Sequence, residues 1–482
     1  MNSCDRSECR RILVINHNYV SPGEVGSNRS HYIVQTCLAA GYAVDLIRAR
    51  QSYLGNPDAA EAASLAHDFP QHAALNIYRV GQALRAGQRS SRVASYVSFV
   101  AQTLTLMRRL PRPDLVLVTT PPLPQVVGGF AAAAWHRAPL LLEITDIWPA
   151  AVQETGQLRG RLVGLVMSFL EQLSYRLADH CVVASPMILP YLTNLGIPPS
   201  QCSSVPTGAV LCARDTEAGT AWRERNELKG RFLMLYCGSF NAAYGIERLV
   251  DAARLTAKCA PHVTWLFAGS GTGREALERA AREAQNIRFL GALPRESLAR
   301  VLAAADAGIV SLCTEHRLSH SAESSKLIEC LGCGLPVICL IDGFPGAMVR
   351  AAGAGIVAPA RTAQEIADAV LQLAGVEREK LVSIGLAGQT WASACWNQES
   401  FSGRLVDLLA RRLVVGRVPR RAWLKRLALA FWPAISVIAR GKPAKAVSYY
   451  LGFDRPPADA FLASWLYRSG SAGHATAPPV SR

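Results

Sequence analysis

The sequence predicts an α/β protein of two tandem domains, each a doubly wound parallel sheet, followed by a basic C-terminal region. Three observations predict it. A chain of 482 residues is too long for one ordinary core. Compact apolar runs recur in two series separated by helix-compatible stretches, the pattern of parallel sheets covered on both faces. Hydrophobic residues make up 50% of the chain against 18% charged, the balance of a protein with large buried sheets. The expected divisions are residues 1–210, 211–400, a basic amphipathic stretch at 401–469, and a disordered tail at 470–482, where Ser, Gly, Ala and Pro replace apolar periodicity.

In the first half, Arg11-Ile-Leu-Val-Ile-Asn16 reads as a strand, followed by a loop with Gly23 and Gly26 and a helical stretch at 29–41. Tyr42-Ala-Val-Asp-Leu-Ile47, Asp114-Leu-Val-Leu-Val118, Pro139-Leu-Leu-Leu-Glu143 and Cys181-Val-Val-Ala184 repeat the strand pattern. Residues 50–89 have weak periodicity and read as an excursion near a site. After a polar stretch at 215–230 a second series begins. Its strands are Phe232-Leu-Met-Leu-Tyr236, Thr264-Trp-Leu-Phe-Ala268, Ile287-Arg-Phe-Leu290, Ala307-Gly-Ile-Val310 and Val337-Ile-Cys-Leu340. Phosphate-bearing ligands bind beyond the carboxyl ends of such strands, so a cleft between the halves is the expected site.

A net charge of +15 favours anionic partners. The basic residues are dense at 404–426, beside Trp423, Phe431 and Trp432, which suits an anionic membrane surface better than a nucleic-acid groove. No nucleic-acid-binding motif is present. The charge-free stretch at 427–439 has thirteen residues and contains Pro433, against the roughly 20 needed to span a bilayer. It fits either a segment lying on a membrane or a helix packed on the first domain, and residues 162–170 pose the same choice between core and shallow insertion. The polar N-terminus, lacking the apolar core of a signal peptide, and thirteen scattered cysteines suggest a cytoplasmic protein with reduced thiols. Cys330 and Cys333 form a C-x-x-C with no second pair at zinc-ligand spacing, so no metal is expected.

The most informative segment is Lys326-Leu-Ile-Glu-Cys-Leu-Gly-Cys-Gly-Leu-Pro336, entered through Ser324 and Ser325. It reads as a short helix capped by one of these serines, stopped by Gly334 and Pro336, and leading into a buried strand. The free N–H groups of the first turn favour an anion such as a diphosphate, and Lys326 adds charge there. Glu329, three residues on, can accept hydrogen bonds from both hydroxyls of a ribose. The same residues fit a surface helix with a serine cap. Ala268-Gly-Ser-Gly-Thr-Gly273 lacks the full dinucleotide fingerprint, with Ala292-Leu-Pro294 where its acid belongs, so an NAD enzyme is not expected. Its glycines suit a tight turn that lets backbone approach a nucleotide.

In order, these segments resemble family 4 of the retaining glycosyltransferases, closest to the bacterial branch that builds O-antigen, capsule and exopolysaccharide. The resemblance spans about residues 11–373. It includes Pro113-Asp-Leu-Val-Leu-Val-Thr-Thr-Pro-Pro122, Glu143-Ile-Thr-Asp-Ile-Trp-Pro149, Glu171-Gln-Leu-Ser-Tyr-Arg-Leu-Ala-Asp179, Val205-Pro-Thr-Gly208, Tyr236-Cys-Gly-Ser-Phe240 and the motif from Ser325 onward. The implied fold is two Rossmann-like domains facing a cleft, the type B glycosyltransferase fold. The resemblance implies that Glu329 holds the donor ribose. Ser325, Lys326, Gly238, Ser239, Gly269, Gly271 and Gly26 would complete the donor site, with Asp146, Trp148 and Arg29 on the acceptor side. Asp146 also fits a turn aspartate before Pro149. Asp146 and Lys326 are the expected catalytic residues.

The sequence departs from the family at several positions. Ser321 stands where relatives carry the first glutamate of a pair, Glu323 is out of register, and Ser239 and Tyr244 stand where an arginine and a lysine would meet the diphosphate. Lys326 is expected to supply the lost charge. The implied activity moves a sugar from a nucleotide-sugar, UDP-linked by expectation and with no other cofactor, to a lipid-linked glycan acceptor at the inner membrane face. An inactive nucleotide-binding relative and a sugar-nucleotide 2-epimerase are the alternatives.

Overall fold

The computed structural model describes residues 10–20, 28–50, 72–81, 89–154, 160–211, 214–241, 244–271, 273–312, 320–439 and 457–468. The chain divides into two units: Met1–Pro206 with Ser402–Val447, and Thr207–Phe401 with Ser448–Arg482.

The first unit is built on seven strands, of which the interior ones are apolar runs buried on both faces. The strands are β1 (Arg11–Asn16), β2 (Ala43–Ala49), β3 (Leu75–Val80), β4 (Leu115–Thr120), β5 (Leu140–Ile144), β6 (His180–Val183) and β7 (Cys202–Ser204). They form a parallel sheet of order β3-β2-β1-β4-β5-β6-β7. Every residue of β4 and β5 is buried, so these strands have no solvent face and read as unbroken apolar runs. Helix Arg161–Leu177 packs over this sheet and carries the buried Glu171. That carboxyl accepts hydrogen bonds from the hydroxyls of Tyr175 (3.1 Å) and Tyr191 (2.8 Å), and burial pushes its pKa up to about 8 despite them.

The second unit repeats the design with β8 (Phe232–Cys237), β9 (Val263–Ala268), β10 (Ile287–Gly291), β11 (Ala307–Val310), β12 (Val337–Cys339) and β13 (Gly355–Val357). The order is β10-β9-β8-β11-β12-β13, again parallel. Stacked Trp265, Phe267 and Phe289 fill one face of this sheet.

The stretch expected as one basic region at 401–469 is divided between the units. Helix Arg420–Ala439 packs along Arg161–Leu177 in the first unit, with Phe431 edge-on to Phe169 (5.7 Å), Trp423 edge-on to Phe130 (5.2 Å), and Arg426 paired with Asp179 (2.6 Å). Helix Pro457–Arg468 joins the second unit, where Trp465 packs on Trp396 and Asp459 pairs with Arg350 (3.0 Å). Among the described residues no helix is long and apolar enough to cross a membrane. Cys37, Cys181, Cys330, Cys339 and Cys395 are buried free thiols, but Cys333 is disulfide-bonded, so the expectation of reduced thiols fails at that position.

Candidate active site

In the second unit, the turns after β8 and β9 and helix Ser325–Gly332 bring together the residues expected on the donor side. Gly238 N–H donates to Ala268 O, Gly269 N–H to Gly291 O, and Phe240 N–H to Ser270 O, so the two turns are laced by backbone. The glycines are needed for that lacing. A Cβ at Gly269 would overlap Gly238 O, one at Gly271 would overlap Phe240 O, and one at Gly238 would overlap the Lys326 side chain. The lack of a Cβ at these glycines, which the sequence links to backbone approaching a ligand, also lets the two turns pack against each other and against Lys326.

Ser324, rather than Ser325, is the N-cap, its hydroxyl accepting from Leu327 N–H. Ser325 is left exposed on the first turn. At the other end, Gly334 takes a left-handed conformation (φ 64°), with Gly334 N–H on Leu331 O and Leu335 N–H on Cys330 O, a Schellman closure that turns the chain into β12. Lys326 reaches across Gly238 to place its Nζ 3.9 Å from the centroid of the Tyr244 ring. Tyr244 is thus a platform for the cation that the sequence reading assigned to the diphosphate. Ser311 Oγ donates to the Tyr244 carbonyl (2.7 Å), and Tyr236 donates to the Ser239 carbonyl (3.0 Å), fixing both turns.

Glu329 is half-buried near Lys326. Burial raises its pKa, while Arg295 and Lys326 pull it back. Cys237 lies within the same field, its thiol pushed up to about 12 by burial and by Glu329. Together these residues offer N–H groups and a held ammonium to an anion, with a carboxylate beside them for hydroxyl donors. Arg295 had no signal in the sequence, because it lies 34 residues from Glu329.

Ser321 is buried. Glu323, one residue before the cap, has its carboxylate on Thr207 and Trp396. Among the described residues no cluster of His, Cys, Asp and Glu could hold a metal ion.

In the first unit, Thr145 bonds through its N–H and its hydroxyl to Thr120 O, which carries Asp146 just past the carboxyl ends of β4 and β5. Asp146 opens to solvent on one side, yet the surrounding protein displaces enough water to push its carboxyl up to about 6. Trp148 is half-buried beside it in sequence. Arg29, expected on the acceptor side, is buried. Its Nε donates to Glu143 Oε1 (2.7 Å), and Glu143 Oε2 accepts from Thr119 (2.7 Å), so the arginine braces the strand ends. Gly26 and Gly23 lie outside the described residues.

Two family models match adjoining parts of the chain: the glycosyl transferase 4-like domain at residues 26–208 and glycosyl transferases group 1 at 231–375. Together they span more than half of the sequence. The chain belongs with the glycosyltransferases of the two-Rossmann-domain type, with a 4-like domain in the first half and a group 1 domain in the second. A GDP-mannose-dependent alpha-(1-6)-phosphatidylinositol monomannoside mannosyltransferase from Mycobacterium tuberculosis is 27% identical over 169 residues, 34% of this chain and 41% of that protein. A similar mannosyltransferase from Corynebacterium glutamicum is 27% identical over 167 residues, 34% of this chain and 43% of its own length. The match therefore spans less than half the length of these curated relatives. Among solved structures, sucrose-phosphate synthase from Thermosynechococcus elongatus has a TM-score of 0.67 at 19% identity, covering 84% of this chain and 100% of that one. Anabaena HepE, solved with UDP and glucose, has a TM-score of 0.61 at 16% identity, covering 83% and 99%. At these identities the two structures speak to the fold.

Proposed function

We propose that the protein is a retaining glycosyltransferase that moves a hexosyl or N-acetylhexosaminyl group from a nucleotide-sugar to an acceptor hydroxyl. The observation that carries this reading is the cation held at the capped helix: Lys326 poised over Tyr244 beside the first turn of Ser325–Gly332, with Glu329 on the same helix. Breaking the bond between the sugar's anomeric carbon and the phosphate oxygen puts charge on the departing nucleoside diphosphate. The helix N–H groups and Lys326 meet that charge, and Glu329 holds the ribose. The acceptor oxygen bonds to the anomeric carbon on the face the phosphate leaves, and its proton passes to the released phosphate. Asp146, as a carboxylate, orients the acceptor hydroxyl. Gly238, Ser239, Gly269 and Gly271 shape the donor turns, Ser325 adds a hydroxyl to the phosphate, and Trp148 lies on the acceptor side.

The acceptor we infer is a polyprenyl-diphosphate-linked glycan of cell-surface polysaccharide synthesis, met at the inner membrane face by a peripheral, cytoplasmic enzyme. Support comes from exposed apolar side chains on two packed helices, Leu162, Val163 and Val166 on one and Leu424, Leu429 and Phe431 on the other, with Lys425 and Arg421 also exposed on the second. Incubation with UDP- and GDP-sugars and a lipid-linked acceptor should release nucleoside diphosphate and yield a glycosylated lipid. An epimerised donor without acceptor turnover would overturn the transferase reading. The buried Ser321 favours one second reading, a nucleotide-binding relative without turnover, and the same assay would then show binding and no product.

A further inference from the structure

Glu323 is an acid that the proposed chemistry does not use, and its surroundings are specific. Its Oε1 accepts hydrogen bonds from Thr207 N–H (2.9 Å) and from Trp396 Nε1–H (3.1 Å), and its Oε2 accepts from the Thr207 hydroxyl (3.0 Å). Thr207 is the first residue of the second unit, and Trp396 lies shortly before Phe401, where the chain leaves it. The two segments are also joined to each other. Ala209 N–H donates to Trp396 O (2.6 Å), Ala209 and Asn397 form a parallel bridge, and Gly208 lies so close to the Asn397 backbone that a Cβ there would collide with it. One carboxylate thus grips both segments by which the chain enters and leaves the unit. It does so immediately before Ser324, the cap of the helix whose first turn carries Ser325 and Lys326.

We propose that Glu323 is a positioning residue for the transfer reaction, fixing the first turn of helix Ser325–Gly332 to the paired segments 207–209 and 396–397, so that occupancy of that turn by a diphosphate tightens both segments. This rests on the donor site described above. The coupling is reciprocal: whatever orders the two segments also presets the phosphate-binding turn. The three contacts to Thr207 and Trp396 are hydrogen bonds. A glutamine amide oxygen can accept from both N–H groups, and its NH₂ can donate to the Thr207 hydroxyl, so Glu323→Gln keeps all three contacts. Glu323→Ala loses them.

The test measures amide hydrogen exchange with and without saturating UDP or GDP, together with donor kcat and KM. In the wild type and in Glu323→Gln, nucleotide should slow exchange in residues 325–331 and also in 207–209 and 396–397. In Glu323→Ala, protection should be confined to 325–331, with kcat down about tenfold and donor KM within about threefold of wild type. Thr207→Val, which removes one of the three contacts, should fall between, and it decides the matter if Glu323→Ala does not fold. If Glu323→Gln loses nucleotide affinity, the carboxylate acts on the donor itself and the proposal fails. Unchanged coupling in Glu323→Ala, or wild-type coupling in Thr207→Val when the alanine variant is unfolded, also overturns it. A wild type that binds neither nucleotide would sink the donor-site reading and this inference with it.

Discussion

At the scale of single residues, two acids with raised pKa values carry opposite expectations for pH. In the proposed reaction Asp146 acts as a carboxylate, and its pKa is raised to about 6 by desolvation, so protonation on going below that value should silence it. kcat/KM should fall about tenfold per pH unit below pH ~6, and Asp146→Asn should give a low rate without that limb. A wild-type profile flat down to pH ~4.5 would refute the role. Glu171 shows the reverse case, an acid that the fold prefers protonated. Its pKa is about 8 in the folded protein and near 4.5 when unfolded. Between those values the folded state holds more protons, so stability falls as pH rises through that window. Glu171→Gln keeps an oxygen for Tyr175 and Tyr191, and its melting temperature should lose several degrees less than that of the wild type between about pH 5 and pH 8. Neither acid announced its pKa in the sequence. Asp146 was legible through its Asp-Ile-Trp-Pro setting, while the partners of Glu171, Glu323 and Lys326 depend on pairings such as Lys326 with Tyr244, 82 positions apart.

At the scale of elements, the glycine turns after β8 and β9 separate stability from function. A methyl at Gly269 meets the Gly238 carbonyl, which is backbone and cannot yield, so Gly269→Ala should cost about 1–3 kcal/mol in unfolding free energy. A methyl at Gly238 meets mainly the flexible stem of Lys326, so Gly238→Ala should displace the ammonium from Tyr244. Transfer should fall at least about tenfold, beyond the stability cost of a side chain at the φ of 159° that Gly238 adopts; equal transfer losses in Gly238→Ala and Gly269→Ala would remove Lys326 from the chemistry. The strands legible in the sequence were the interior ones, β1, β2, β4, β5, β6, β8, β9, β11 and β12, together with the edge strand β10. The sequence missed β3, β7 and β13, all at sheet edges. β3 is largely half-exposed, and β7 and β13 are three residues long, so none needs the unbroken apolar run that marks a strand buried on both faces.

At the scale of the whole molecule, the C-terminal chain was the least legible part, because its packing partners are set by tertiary contacts. Its composition suggested a membrane surface, and the helices Arg161–Leu177 and Arg420–Ala439 meet along their length while leaving Leu424 and Leu429 exposed. Leu424→Ser with Leu429→Ser should weaken sedimentation with anionic vesicles several-fold and leave the melting temperature unchanged, since neither side chain is buried. Undiminished sedimentation would remove these side chains from membrane contact. The crossing of the chain from unit to unit also governs how the protein can be dissected. Because residues 402–447 complete the first unit and 448–482 fall with the second, cutting at Pro206 frees neither half: the upstream piece lacks the helix that covers Phe130 and Phe169. A separately expressible first half would have to be spliced from two distant stretches of the gene.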